Sequence, residues 1–148
     1  MQLTQLFSKF DKLHEKHGSK NLTSIYGAGE INSPNICIIF MNPTAKNIAS
    51  TLEWKGLKAP WLGTKNVWRL FYKLGLFSNL DLLKQIESMK PEEWTVDFAN
   101  ILYKDILRES IYITNIAKCT QDDAKHLPDS IYKEYLPLML EEVKLYKT

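Results

Sequence analysis

Residues 35–44 read NICIIFMNPT, and this stretch carries the clearest strand signal in the chain. Its apolar part, ICIIFM at residues 36–41, has no polar alternation. A short run of this kind predicts a strand that is buried on both faces, as in a parallel sheet. The strand ends abruptly at Asn42 and Pro43. Because ligands bind beyond the carboxyl ends of the strands in open α/β sheets, an Asn in this position is a candidate binding residue.

A second strand is predicted from IYITNIA at residues 111–117, which is rich in β-branched and aromatic residues and presents Asn115 near its end. Amphipathic helical patterns precede, separate and follow the two strands, at residues 3–17, 64–76, 78–89, 91–106 and 129–146. Pro137 lies inside the last pattern and predicts a kink or a break there. Strands that alternate with helices predict an α/β fold with a parallel sheet.

Length and composition fit one domain over residues 1–148. The net charge of +2 is too small by itself to indicate a nucleic-acid partner, although residues 46–73 are mostly basic and residues 81–97 mostly acidic. Cys37 and Cys119 are far apart and have no metal-binding spacing. The N-terminus does not resemble a secretory leader, and no apolar run approaches the length of a membrane span. We therefore expect a cytoplasmic protein with no membrane partner.

The two strand-end Asn residues suggest a binding pocket. If the strands are neighbours, Asn42 and Asn115 face the same pocket. A carboxamide is donor and acceptor at once, so it can match the imide edge of uracil, which offers a carbonyl and an N–H. Cytosine presents the inverse pattern and would leave buried polar groups unpaired. The alternative stays open, because an Asn after a strand usually caps a helix or closes a turn.

Residues 42–64 form a long irregular segment that contains Pro43, Pro60 and Gly63. Long ordered loops are usually functional. Trp61 lies in this segment, and a tryptophan in such a place is more often a packing residue than a stacking platform. The lysines of the segment are equally explained by a solvated face.

Three blocks of sequence, taken in order, resemble the uracil-DNA glycosylase superfamily, most closely its iron–sulfur bacterial and archaeal branch. They are IYGAGEINSPNICIIFMNPT at 25–44, KAPWLGTKNVWRLFYKLGL at 58–76 and IYITNIAKCTQDDAKHLPDS at 111–130. The resemblance implies a three-layer α/β/α fold with a short parallel sheet. It also implies base excision repair, in which the N-glycosidic bond of a uracil in single-stranded or mispaired DNA is hydrolysed after the base leaves the stack.

Residue roles follow from this resemblance alone. Asn42 falls at the catalytic polar residue, and its Asn-Pro pair is similar to the branches in which an Asn positions the hydrolytic water. Met41 and Pro43 flank it in the substrate pocket, Trp61 falls at the aromatic residue that stacks on the base, and Asn115 falls at the Asn that reads the uracil edge. Four lysines are expected to flank the pocket mouth and contact DNA phosphates, namely Lys46, Lys55, Lys58 and Lys65.

The chain also departs from the family pattern. Thr44 stands where a small Gly or Ala is usual, and only Cys119 matches one of the four cluster cysteines. We therefore predict no iron–sulfur cluster, no other metal and no cofactor. No residue matches the His that stabilises the leaving base, and His126 is not assigned to that role. The family continues with two more strands after its last helix, so the fold is expected to be incomplete at the C-terminus.

These departures predict weak or absent base release. They also predict that the isolated chain either self-associates through an uncovered sheet edge or is unstable without the missing segment. Because of the resemblance, a truncated or divergent DNA glycosylase is still the leading interpretation. A non-catalytic nucleic-acid or nucleobase-binding module of the same fold is the first alternative. An unrelated small α/β ligand-binding protein is the second.

Overall fold

The structure, a computed structural model, describes residues 2–122 and 127–146. His126 therefore lies outside the described residues. Within them the chain forms a mixed α/β fold of five α-helices and a small three-stranded sheet. The helices are α1 (Leu3–His17), α2 (Lys65–Lys73), α3 (Leu80–Ser88), α4 (Val96–Arg108) and α5 (Asp129–Tyr146), and the strands are β1 (Ala28–Gly29), β2 (Ile36–Phe40) and β3 (Ile111–Asn115).

The sheet has the strand order β1-β3-β2, so β3 is its central strand. β2 and β3 are parallel, as predicted, and their ends coincide because Phe40 lies opposite Asn115. β1 is antiparallel to β3, so the sheet is mixed and the prediction of a purely parallel sheet was wrong. The reason is a very short strand of small residues, Ala28 and Gly29, that no apolar pattern reveals. Gly29 has a φ of 126°, and a Cβ on it would lie 2.2 Å from the carbonyl oxygen of Ile111, so only glycine lets β1 approach β3 this closely.

The prediction that both parallel strands are buried on both faces holds for β3 and was wrong for β2. All five residues of β3 are buried. β2 lies at the edge of the sheet, where Ile39 is 42% exposed and Met41, just after the strand, is 44% exposed. Ile38 and Phe40 pack partly buried against the core. An apolar run in the sequence predicts a strand, but it does not show whether a neighbouring element buries both faces of that strand.

Helices pack against both faces of the sheet. On one face, Ile111 and Ile113 join a core that is shared with α2, α3 and α4. On the other face, the side chains of Tyr112 and Thr114 both donate hydrogen bonds to Glu142 of α5. α1 packs alongside α5 on that side. This alternation along β3 follows from the two-residue period of a strand.

The predicted helices are largely confirmed. α1 and α5 have the predicted bounds, and α5 continues through Pro137, so the chain is not broken there. The predicted helix at 91–106 divides into a 3-10 turn, Pro91–Glu93, and α4. The division occurs because the Oγ1 atom of Thr95 accepts the N–H of Phe98 at 3.1 Å and caps α4. None of the helices described is both long and apolar enough to cross a membrane.

Candidate functional site

The candidate site lies beyond the carboxyl ends of β2 and β3. The two segments that follow these strands stay side by side. The N–H of Ala117 donates to the carbonyl of Met41 at 3.0 Å, and the N–H of Gln121 donates to the carbonyl of Pro43 at 3.2 Å. This continued pairing brings Asn42 and Asn115 to one edge of the sheet, where both line the same cavity.

The cavity has a volume of about 200 Å³. It is lined by Phe40, Asn42, Pro43, Thr44, Asn47, Pro60, Thr64, Val67 and Asn115. Clefts that bind drug-sized ligands usually measure about 300–1,000 Å³, so this cavity suits a ligand of about one ring. Each of the lining side chains is neutral, so recognition here depends on hydrogen bonds and shape.

Asn115 is the most informative residue of the cavity. It is only 3% exposed, yet its amide oxygen and nitrogen bond to no described residue, and neither atom is sealed from solvent. Within the described part of the chain, the amide of this cavity-lining residue therefore keeps its bonding capacity unused. A buried amide in this condition is costly unless water or a ligand completes its hydrogen bonds.

A buried ion pair holds Asn115 from behind. Lys118 and Glu142 are fully buried, with 2.8 Å between Nζ and Oε1. Lys118 Nζ also donates to the backbone carbonyl of Asn115 and, at 2.8 Å, to Thr114 Oγ1. Burial lowers the pKa of the Lys118 ammonium, and the opposing effect of Glu142 is smaller. Burial, together with the Glu142 carboxylate, raises the pKa of the Tyr112 hydroxyl that donates to it.

Sequence reasoning missed this network, although one signal was available. Glu142 falls on the apolar face of the predicted last helix, and a carboxylate in a core position requires a cation and hydrogen-bond donors. The partner could not be identified, because Lys118 is 24 residues away and no spacing rule links the two positions.

Asn42 is half-buried and is held by a residue of α5. Tyr132 donates its hydroxyl proton to Asn42 Oδ1 at 2.8 Å, and Asn42 Nδ2 donates to the carbonyl of Pro43 at 3.3 Å. Tyr132 lies ninety residues after Asn42 and was not singled out from the sequence. Asn42 therefore enters the cavity in a fixed orientation.

The long segment 42–64 is ordered by its own polar contacts. Asn47 is 2% exposed, and its side chain donates to the carbonyl of Ala59 at 2.7 Å and accepts from the N–H of Ala49 at 2.9 Å. The N–H of Ile48 donates to the carbonyl of Leu62 at 3.3 Å. These bonds fix the wall of the cavity that carries Pro60 and Thr64.

Trp61 does not lie where a stacking residue is needed. It is 0% exposed, it stacks on Tyr103 with 6.2 Å between ring centroids, and its carbonyl accepts from the indole of Trp68 at 3.1 Å. The expected convergence of Trp61 with the two Asn residues is thus wrong in this structure, where Pro60 lines the cavity instead. The large apolar surface of an indole gains more from the core than from a small polar cavity. Met41 is exposed and is likewise absent from the lining, whereas Pro43 belongs to it.

The four predicted phosphate-binding lysines do not form one group. Lys46 and Lys65 adjoin cavity residues in the chain, and the Lys65 ammonium donates to the carbonyl of Glu87 at 2.8 Å. Lys55 is exposed near the carbonyl of Leu52. Lys58 bonds to Thr23 and lines a different cavity, and burial lowers its pKa.

That second cavity, between α1 and residues 22–26, is larger, at about 340 Å³. Several of its polar groups are already engaged: Tyr26 donates to Asp11 at 2.7 Å, and the His14 ring contacts the Leu22 carbonyl at 2.8 Å. Ser24 Oγ has no partner but is sealed from solvent. We therefore regard the smaller cavity, with its two amides, as the candidate site.

The residues present do not fit the iron–sulfur cluster of the resembled branch. The chain has only two cysteines, and burial raises the pKa of the Cys119 thiol, which disfavours the thiolate that a metal needs. Across the described ranges, no three His, Cys, Asp or Glu side chains come together as a metal site would require.

No protein-family model matches the chain, and no curated protein matches it significantly.

Proposed function

We propose that this protein binds a uracil base in DNA and releases it by hydrolysing the N-glycosidic bond, as a uracil-DNA glycosylase-like protein. The observation that carries the proposal is the open amide of Asn115, which is 97% buried beside Asn42 in a cavity of about one ring. An amide can pair with the carbonyl and the N–H of the uracil edge at the same time. The sequence resemblance gives the same two residues related roles.

In this proposal Asn42 holds the attacking water. One lone pair of its Oδ1 atom is taken by Tyr132, and the other accepts a proton of the water. The water oxygen adds to C1′ of the sugar while the bond to the base nitrogen breaks and its electron pair leaves with the base. An amide cannot accept the water's proton, which passes to solvent, so Asn42 orients the water without activating it. We therefore expect slow turnover.

A non-catalytic nucleobase-binding module is the second candidate, and one observation favours it. Among the residues that the structure describes, no titratable side chain lines the cavity, so none of them offers a general base or a charge to stabilise the departing base. Removal of one preorganised stabiliser of developing charge typically costs about 10²–10³ in rate.

Single-turnover release from a single-stranded oligonucleotide with one uracil tests the proposal. We expect slow release that falls by about 10²-fold or more in Asn42→Ala and in Asn115→Leu, the latter with reduced binding. Asn100→Ala is the matched control, because Asn100 is an exposed Asn on α4, and it should leave the rate unchanged. An oligonucleotide with cytosine in place of uracil controls for base specificity.

The outcomes separate the candidates. Uracil-dependent binding without release would support the binding module. Binding and release that are both indifferent to uracil would contradict both candidates and favour an unrelated ligand-binding protein.

We further propose that Lys46 and Lys65 contact phosphates beside the cavity. Each phosphate contact on single-stranded DNA contributes about 0.7 to the slope of log affinity against log salt concentration. Lys46→Ala and Lys65→Ala should therefore each lower the slope by about 0.7, whereas Lys58→Ala should not, because Lys58 faces the other cavity. Equal effects of all three substitutions on the measured slope would contradict this assignment.

A further inference from the structure

Tyr132 connects α5 to the candidate site by one well-formed hydrogen bond. Its hydroxyl donates to Asn42 Oδ1 at 2.8 Å and accepts, at a long 3.4 Å, the backbone N–H of Leu127. Because a backbone N–H can only donate, the hydroxyl proton is directed towards Asn42. The Nδ2 atom of Asn42 donates to the Pro43 carbonyl. Together these two contacts place the amide oxygen of Asn42 towards Tyr132 and its NH₂ group towards Pro43.

The two orientations of an Asn amide have nearly the same shape but opposite chemistry. With the oxygen held by Tyr132, its second lone pair can accept a proton from a water, and the water keeps its own lone pairs for attack. In the flipped orientation the NH₂ group would donate to the water, occupy one of its two lone pairs and make its oxygen a weaker nucleophile. A hydroxyl that donates to Asn42 therefore selects the productive orientation.

From these contacts we propose that Tyr132 is a positioning residue that sets the amide orientation of Asn42. The inference rests on the proposed function, but the hydrogen bond on which it depends can be tested without it. Tyr132 does not line the cavity, so it acts on a bound base only through Asn42.

The kinetic test uses Tyr132→Phe, which keeps the ring and removes only the hydroxyl. We expect the single-turnover rate at saturating DNA to fall by about tenfold, the effect of one ordinary hydrogen bond, with less than a twofold change in DNA affinity. Tyr72→Phe, at an exposed position of α2, is the control. In an Asn42→Ala background the Tyr132 substitution should have no further effect. Additive losses in the double variant would overturn the inference.

Nuclear magnetic resonance tests the hydrogen bond itself. The side-chain NH₂ signals of Asn42, identified by their loss in Asn42→Ala, should shift in Tyr132→Phe and stay in place in Tyr72→Phe. Signals that do not move would overturn the inference even if uracil release is robust. A clear shift in a protein that neither binds nor releases uracil would uphold the positioning contact and reject the proposed function.

Discussion

Gly63 determines how closely the two parts of the cavity wall approach each other. It has a φ of 76°, and a Cβ on it would lie 2.9 Å from both the backbone nitrogen of Ile48 and the carbonyl oxygen of Lys46. Backbone atoms cannot move away to relieve such a clash, whereas the end of a flexible side chain can. A larger residue at this position would therefore separate Asn47 from Pro60, and both of these line the cavity.

Gly75 provides a matched control for this effect, because it has a φ of 74° and no atom within 4 Å of an added Cβ. Gly75→Ala should lower the free energy of unfolding by about 1–2 kcal/mol, the strain of a left-handed residue. Gly63→Ala should lower it by more, because the collision with the backbone adds to that strain. Urea denaturation measures both values, and equal losses would contradict the importance of the close approach.

At the scale of elements, a charged pair inside the core joins α5 to the segment that follows β3. Lys118→Met leaves the Glu142 carboxylate buried without its cation, and we expect a loss of about 3–5 kcal/mol in the free energy of unfolding. Lys144→Ala breaks a pair with Glu141 that is exposed on the same helix, and this should cost less than about 1 kcal/mol.

The double variant Lys118→Met with Glu142→Leu distinguishes a paired contact from simple loss of volume. Two apolar side chains of similar size should recover much of the stability that Lys118→Met loses, because no charge is then buried alone. If the double variant is as unstable as the sum of the single ones in urea denaturation, the pair is not the source of the loss.

The open edge of β2 supports the sequence-based prediction of self-association, which we retain as a proposal. One side of β2 has no strand partner among the described residues, and Ile39 and Met41 are exposed there. We expect a concentration-dependent increase in mass by light scattering, which Ile39→Lys should abolish, since an edge lysine opposes strand pairing. Leu74→Lys, at a position that is 60% exposed beyond α2, is the control. A monomer at every concentration would contradict the proposal.

Elements with a long periodic signal could be predicted from the sequence, and elements defined by neighbours could not. α1 and α5 were predicted to the residue because their apolar positions repeat over four or more turns. The parallel pairing of β2 and β3 was also predictable from two apolar runs separated by helices. The exposure of Ile39 and the packing of Trp61 depend on which segments lie alongside, and local sequence does not encode this.

The same limit applies to the candidate site. Asn42 and Asn115 were predictable because each follows a recognisable strand. Tyr132, Lys118 and Glu142 act across the fold, and only their burial and contacts reveal them.

For the molecule as a whole, buried tyrosines set the response to alkaline conditions. Burial raises the pKa of five of the seven tyrosines, which are Tyr26, Tyr103, Tyr112, Tyr135 and Tyr146. These groups stay protonated in the folded protein while the unfolded chain releases their protons at about pH 10. Their contribution to stability is complete below that pH and is lost as the pH rises above it.

We therefore expect the free energy of unfolding to fall steeply between about pH 10 and 11. Lys58 and Lys118 oppose this trend, because burial lowers their pKa in the folded protein and the unfolded chain therefore holds these two protons more tightly than the folded protein does, but two groups are outweighed by five. Urea denaturation at several pH values measures the slope, and Tyr112→Phe should reduce it. Stability that is constant up to pH 11 would contradict the burial of these hydroxyls.

The central position of β3 has a consequence for the speed of recognition. Asn115 ends a strand that is paired on both sides, and its carbonyl is tied to an ion pair inside the core. Core segments held in this way are among the last parts of a protein to open. The backbone that carries the Asn115 amide is thus in place before any ligand arrives, and on the proposed function no slow rearrangement of this strand precedes binding. The rate of uracil binding is then set by the nucleic acid, because it depends on how often a base leaves its stack. Loosely paired uracils are therefore bound first.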